Sequence, residues 1–388
     1  MLTRGPRRPN TVFGAIALMV GNAIGAGIFA LPFVFERAGT VLGLTYVIGL
    51  GCVLALVNLA YAEVVLSTNG KHQFVALTEH YLGKRWKHIA VFSMLVGNYG
   101  ALSAFGLEVG NLLAGLLQPY LGGPTLADNL IYYAIVSFAL LLGVRAVTAV
   151  EKTMMLVLLS LICAFVVLAI PEVSVSNWSL VKPTNFFLPF GVVLFALSAS
   201  AAVPEMNIVL SGNRAKLRTA IIWGSLIPVI VYCVFATVAV GVTGSATTES
   251  AITGLGLALG PHILIAGSLF GCIAMTTCFL VSGLIFRETY TLDYKLPPLL
   301  SWTLVVVPPL VILASQWLSF VELLGLSGGV IGGLGGIIIM KMHHQLLKHR
   351  ERPSEFTVTQ SRLVHYLTYA IFIIGMAYEV WLAIQRVL

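Results

Sequence analysis

The chain has 388 residues, of which 58% are hydrophobic and 10% charged, with a formal net charge of +7 and a mean hydropathy of +0.96. A soluble domain carries about 25% charged residues, so the composition excludes a soluble enzyme or binding module. The alternating segments of about ten residues that mark a membrane β-barrel are absent. The expected class is an all-α polytopic membrane protein, and the basic residues sit in short loops between apolar runs, which argues for topology rather than nucleic-acid binding. The first apolar run is long and lacks a clear cleavage signal, so no signal peptide is expected.

With about 20 apolar residues per span, eleven spans are predicted: 11–35, 40–66, 89–117, 128–146, 151–171, 186–210, 219–243, 261–287, 297–315, 319–341 and 363–386. With the N-terminus cytoplasmic, 19 of the 22 Lys and Arg residues fall inside, and only Arg37, Lys182 and Arg386 fall outside. The positive-inside rule then puts the C-terminus outside.

Span one contains Gly21-Asn22-Ala23-Ile24-Gly25-Ala26-Gly27-Ile28. Lipid offers an unpaired backbone group no partner, so a loosened helix at this depth must line a cavity or be buried in protein. The loop 67–88 carries Phe74, Leu77, Tyr81 and Leu82 at helical spacing and is predicted to form an interfacial helix. Span six has small residues from Ser198 to Ala202, then Pro204, which lacks a backbone donor. It is therefore predicted to break as well.

Spans one and six have opposite orientation. Interrupted helices at matching places in inverted halves mark the binding site of a secondary transporter. One transmembrane domain is expected, with repeat one over 11–171, repeat two over 186–341 and an additional helix over 363–386. Glycine-rich span ten is expected to be a packing helix. The cysteines Cys52, Cys163, Cys233, Cys272 and Cys278 lie in apolar runs and are read as small buried hydrophobes. The segment 342–362, with His343, His344 and His349, reads as a solvated basic loop rather than a transition-metal site.

The run Gly21 to Ile28 with Leu31-Pro32, together with Val203-Pro204-Glu205-Met206 and Tyr294-Lys295-Leu296-Pro297, resembles the amino acid/auxin permease family. That family lies within the amino acid–polyamine–organocation superfamily, which includes bacterial aromatic and neutral amino acid permeases. The resemblance covers nearly the whole chain. It implies the leucine-transporter fold, a 5+5 inverted repeat with helices 1 and 6 broken.

In such a fold a neutral amino acid would lie between the breaks. The free amides of Gly25, Ala26 and Gly27 would hold its carboxylate at a helix N-terminus. Carbonyls around Asn22, Ala23, Phe195 and Ser198 would face its ammonium. Asn98 and Tyr99 on span three either close the pocket or bond between helices. Ser198, Ser200 and Ala202 would shape a pocket roomy enough for a hydrophobic or aromatic side chain.

Two coupling ions remain open. Sodium would bind the carbonyls of Gly21, Ile24 and Ile273 and the hydroxyls of Thr276 and Thr277, unless those threonines bond their own helix. A proton would need a buried acid. Glu63, Glu108, Glu205, Glu322 and Glu379 are the candidates, with Glu205 first and Glu108 second; for Glu63 and Glu379 the alternative is that they reach an interface. Lys152 lies at the cytoplasmic edge, too far out to replace sodium.

The expected function is secondary active transport of a neutral L-amino acid across the plasma (inner) membrane. The expectation includes no enzyme activity, no cofactor and no obligate protein partner. The competing reading is a transporter-like sensor or channel. A membrane enzyme would need clustered His, Asp and Glu in the spans. A divalent-metal transporter would need an acid in the first break, where Asn22 is the only polar side chain.

Overall fold

The computed structural model describes residues 11–70, 72–121, 125–142, 147–348, 350, 352–358 and 362–387. Its helices are α1 (Val12–Ala23), α2 (Gly27–Ala38), α3 (Thr40–Ser67), α4 (Phe74–Leu82), α5 (Lys84–Leu121), α6 (Thr125–Leu142), α7 (Val147–Ala169), α8 (Pro189–Leu197), α9 (Val203–Val209), α10 (Leu217–Thr243), α11 (Ala251–Leu259), α12 (Pro261–Glu288), α13 (Pro298–Ser315), α14 (Phe320–Leu346) and α15 (Arg362–Val387).

Among the described residues, eight helical stretches are long and apolar enough to cross a membrane, with α8 and α9 counted as one. The bent pair α1–α2 makes nine. Two shorter apolar stretches, Leu126–Leu141 and Leu156–Glu172, account for the difference from the predicted eleven. The helices that hold them, α6 and α7, have 18 and 23 residues.

Burial identifies the centre of the bundle. In α14, 78% of the most apolar stretch is buried, against 28% in α13 and α15. Apolar side chains gain nothing by leaving lipid, so close backbone packing has to hold such a centre together. The glycines of α14 permit it. A Cβ on Gly328 would fall 2.0 Å from the carbonyl oxygen of Gly191 in α8, and one on Gly336 would fall 2.3 Å from the ring of Phe372 in α15. The packing role expected for span ten is thus visible atom by atom.

Other expectations need revision. The predicted interfacial helix forms as α4, but Leu77 and Thr78 are buried, and α4 packs on α5 and α14. The stretch between spans seven and eight contains α11, which the hydropathy reading passed over. Residues 170–185 form three short 3-10 turns that cover the junction of α2 and α3. There the amides of Val41 and Leu42 donate to Ser179 and Leu180, and Lys182 bonds Glu36 at 2.6 Å. Gly39 has φ +105°, a conformation that glycine adopts without penalty.

The cysteine reading is corrected. Cys52 and Cys163 are exposed, and Cys233, Cys272 and Cys278 are half-buried. On a membrane-spanning helix, an apolar surroundings signal does not distinguish the lipid face from the interior. His343 is corrected too, because α14 runs on past the predicted end of span ten and buries it completely. Its Nε2 lies 2.9 Å from the carboxylate of Glu63. Among the described residues no cluster of His, Cys, Asp or Glu could hold a metal ion; His349 and the side chain of Lys152 lie outside them.

Candidate functional site

The first break lies where the glycines predict it. α1 ends at Ala23, and Ile24 takes an extended conformation (φ −80°, ψ 99°) while its amide still bonds Val20. The axis bends by 57° before α2 begins at Gly27. The next bonded amide is that of Ile28, which donates to Gly25. Among the described residues, the amides of Gly25, Ala26 and Gly27 make no backbone hydrogen bond. They form the positive end of α2, suited to an anionic group.

The second break runs from Ser198, extended at ψ 104°, through a 3-10 turn at Ser200–Ala202, to Val203, where α9 starts with Pro204 in its first turn. Close approach joins the two breaks. A Cβ on Gly27 would fall 2.7 Å from both Cα and Cβ of Ala196. The hydroxyl of Tyr232, on α10, donates to the carbonyls of Ala23 at 2.7 Å and Ala196 at 3.0 Å. They are the last carbonyl of α1 and the next-to-last of α8. Ala23 was expected to face a substrate ammonium, and its carbonyl is already engaged by a buried phenol. Ser200 Oγ donates to Asn58 Oδ1 at 2.7 Å, which ties the second break to α3.

Exposure differs between the two sides of the breaks. α2 and α8 are buried along almost their whole length. Asn22 on α1, Ala201 in the second break and Glu205 on α9 are exposed. Phe195 is half-buried and meets Phe105 of α5 edge-on, with ring centroids 6.3 Å apart.

The other predicted residues sit as follows. Asn98 turns its amide back to Met94 of its own helix at 2.8 Å. Tyr99 and Tyr290 share a hydrogen bond of 2.8 Å between their hydroxyls, and Tyr99 packs edge-on against Phe286. Of the two readings left open for span three, Tyr99 takes the interhelical bond.

On α12, Thr276 Oγ1 donates to the carbonyl of Cys272 at 2.6 Å and also meets the hydroxyl of Tyr132 at 2.9 Å. Thr277 donates to Ile273 at 2.9 Å, and the Ile273 side chain is exposed. The carbonyl expected from Ile273 is thus shared with a threonine of the same helix, though a hydroxyl that donates keeps its lone pairs. Next to Gly25 stands Cys278, whose Sγ would lie 3.6 Å from a Cβ there. Gly21 is half-buried and Ile24 buried.

The acids also depart from expectation. Glu205, the first candidate, is exposed, while Glu108 is buried beside Ser250 and Asn111, and among the described residues its Oε1 has no hydrogen-bond partner. Glu63 and Glu379 do not reach an interface. Both are buried, and each finds a backbone amide inside the bundle, Val358 for Glu63 and Gly191 for Glu379.

Asn58, Phe105, Tyr232 and Cys278 were missed from the sequence. Asn58 carried a signal, a lone amide in an otherwise apolar stretch. Phe105 and Tyr232 carried none, because an aromatic ring in a span is compatible with either a lipid or an interior face.

The fold defines the class. The chain superposes on Mhp1, a nucleobase-cation-symport-1 family transporter, in a closed conformation with TM-score 0.66 and 15% identity, covering 100% of this chain and 95% of that one. For the inward-facing conformation of Mhp1 the TM-score is 0.67 at 16% identity, with 98% and 90% covered. This is the all-helical, leucine-transporter-type architecture with broken first and sixth spans. Residues 8–381 match the tryptophan/tyrosine permease family, and the chain belongs to that family of transport proteins.

Among curated relatives, the chain is 26% identical over 226 residues to tyrosine-specific transport system 1 of Haemophilus influenzae, covering 58% of this chain and 56% of that one. Tyrosine-specific transport system 2 of the same organism is 27% identical over 232 residues, covering 58% and 57%. Glutamine transporter 2 of Aliivibrio fischeri is 24% identical over 293 residues, covering 69% and 72%. The matches thus span little more than half the length of the two tyrosine transporters.

Proposed function

We propose that the protein is a secondary active transporter that moves a neutral, hydrophobic or aromatic L-amino acid across the plasma membrane by alternating access. The N-terminus lies in the cytoplasm, and the two halves, 11–171 and 186–341, form the inverted repeat. The observation that carries this reading is the paired break. The amides of Gly25, Ala26 and Gly27 make no backbone hydrogen bond, and Gly27 packs on Ala196 in the last turn of α8, just ahead of the second break, so a carboxylate can be bound by backbone alone, without a buried cationic side chain. Family membership and the relatives named for tyrosine transport support an aromatic substrate. The motif shared with amino acid/auxin permeases supports a wider kinship with that family.

The unequal exposure of the half-helices supports alternating access. With α2 and α8 packed shut and Asn22 and Glu205 open, the site faces the cytoplasm in this conformation. Residues Asn22, Ala23, Gly25, Ala26, Gly27, Phe195, Ser198, Ser200 and Ala202 line the path, and Phe195 packs on Phe105 of α5. Tyr99 acts through its bond to Tyr290 rather than on substrate.

The coupling ion is a proton in this reading, because Glu108 and Glu379 are buried carboxylates within the bundle. Sodium at Gly21, Ile24, Ile273, Thr276 and Thr277 is the alternative.

Uptake into proteoliposomes, with a panel of labelled amino acids and separately imposed proton and sodium gradients, tests the reading. Saturable accumulation of tyrosine or another neutral amino acid under a proton gradient is expected. Failure to accumulate any amino acid under either gradient would sink it.

A further inference from the structure

Glu379 lies on α15, outside both halves of the repeat. It is 4% exposed, and its Oε1 accepts the backbone amide of Gly191 at 2.9 Å, in the first turn of α8. Three glycines on two helices leave room for this one side chain. A Cβ on Gly191 would fall 2.4 Å from its Oε1, one on Gly325 2.9 Å from its Oε2, and one on Gly329 2.8 Å from its Cγ.

Among the described residues no cation pairs with Glu379. The titratable groups facing it are Glu322 from α14, Tyr46 from α3 and Tyr378 from α15. An ionised carboxylate here has one amide and the dipole of α8 in its favour, and a second carboxylate against it. The neutral acid keeps the amide bond through its carbonyl oxygen and is free of that repulsion.

We propose that Glu379 is a proton-binding site at the outer end of broken span six, its carboxylate taking up one H⁺ to become the neutral acid and releasing it again as α8 shifts against α14 and α15. This deepens the transport reading and rests on it. The link to the substrate site is α8 itself. Its first turn is held by Glu379, and its last residue, Leu197, adjoins the break at Ser198. Ionisation strengthens the hold on the Gly191 amide, and protonation relaxes it, so the charge on Glu379 biases the position of the half-helix that borders the substrate.

Glu379→Gln keeps an acceptor of the same shape and removes the titration. Infrared difference spectra of the full chain in proteoliposomes, recorded across a pH titration without substrate, should show the carbonyl stretch of a protonated carboxylic acid. That band should vanish in Glu379→Gln and persist in Glu108→Gln. Gly329→Ala, which crowds Cγ, should shift it, and this arm stands even if the Gln variant fails to fold. In uptake assays, Glu379→Gln should lose proton-driven accumulation and retain counterflow exchange. A band that persists in Glu379→Gln, a band indifferent to Gly329→Ala, or unchanged proton-driven accumulation would each overturn the proposal. The spectral arm needs no transport, so a chain that moves no amino acid would fail the transport reading and leave this one separately decidable.

Discussion

The hydroxyl of Tyr232 lies 2.7 Å from the carbonyl oxygen of Ala23. It lies 3.0 Å from that of Ala196 as well, so one phenol closes the ends of two half-helices from different parts of the chain. A hydroxyl has a single proton to donate, and the two carbonyls share it. Broken helices inside a membrane need such partners, because each unsatisfied group is costly there.

Tyr232→Phe leaves both carbonyls without their donor in a buried place. A loss of about 1–3 kcal/mol in stability is expected, read as a lower melting temperature in detergent. Substrate affinity should fall as well, because the two breaks lose their common tie. An unchanged melting temperature and an unchanged Kd would show that the carbonyls find other partners.

Gly27→Ala places a Cβ 2.7 Å from backbone and side-chain atoms of Ala196. Neither is the flexible end of a long side chain, so the breaks must move apart. Transport should drop at least tenfold while the protein still folds and elutes as a single species. Gly49→Ala is the matched control: it meets nothing within 4 Å on helix α3, and alanine is favoured over glycine in a helix by about 1 kcal/mol. Its activity should match the wild type.

Glu63 holds the ends of α3 and α14 together. It is fully buried, and its carboxylate accepts His343 Nε2 at 2.9 Å, the guanidinium of Arg350 and the amide of Val358 at 2.7 Å. Nearby, Arg352 Nε donates to the carbonyl of Leu66. The stretch after α14 is thereby strapped to the end of α3. Glu63→Ala leaves several donors unpaired, which costs about 3–5 kcal/mol when a buried pair is broken from one side. Limited proteolysis should then cut within 350–358, at positions protected in the wild type.

Thr277→Ala separates the two coupling ions. If the proton reading holds, accumulation under a proton gradient should persist in this variant, since only a bond to Ile273 is lost. Loss of sodium-driven accumulation, with the wild type shown to be sodium-dependent, would favour the oxygen site on α12 instead.

At the membrane surface, Lys87 donates to Glu79 at 2.6 Å and holds its carboxyl below the usual carboxylate range. A folded-state pKa below the unfolded one means stabilisation that is present above the unfolded pKa. It is lost as pH falls through the folded value. The pair is half-buried and still reached by salt. Glu79→Gln should therefore leave the melting temperature at neutral pH nearly unchanged, and its effect should shrink further in high salt.

The sequence by itself determined the membrane class and the positions of both breaks, and its loop charges gave the expectation of orientation. Each rests on a local rule. Hydropathy counts residues along one helix, glycine and proline act on their own backbone, and loop charge is a sum over short segments. It also placed Gly25–Gly27 and Ser198–Ala202 where the helices do unwind. Only the tertiary structure decided which polar groups are free. Thr276 and Tyr99 stood open to either role until Tyr132 and Tyr290 were in place, and His343 looked solvated until packing buried it against Glu63. A helix in lipid shows apolar residues on every side, so its periodicity does not say which face points inward. The partners that settle the matter lie far along the chain, as Tyr232 does from Ala23, and a sequence read in one dimension cannot bring them together.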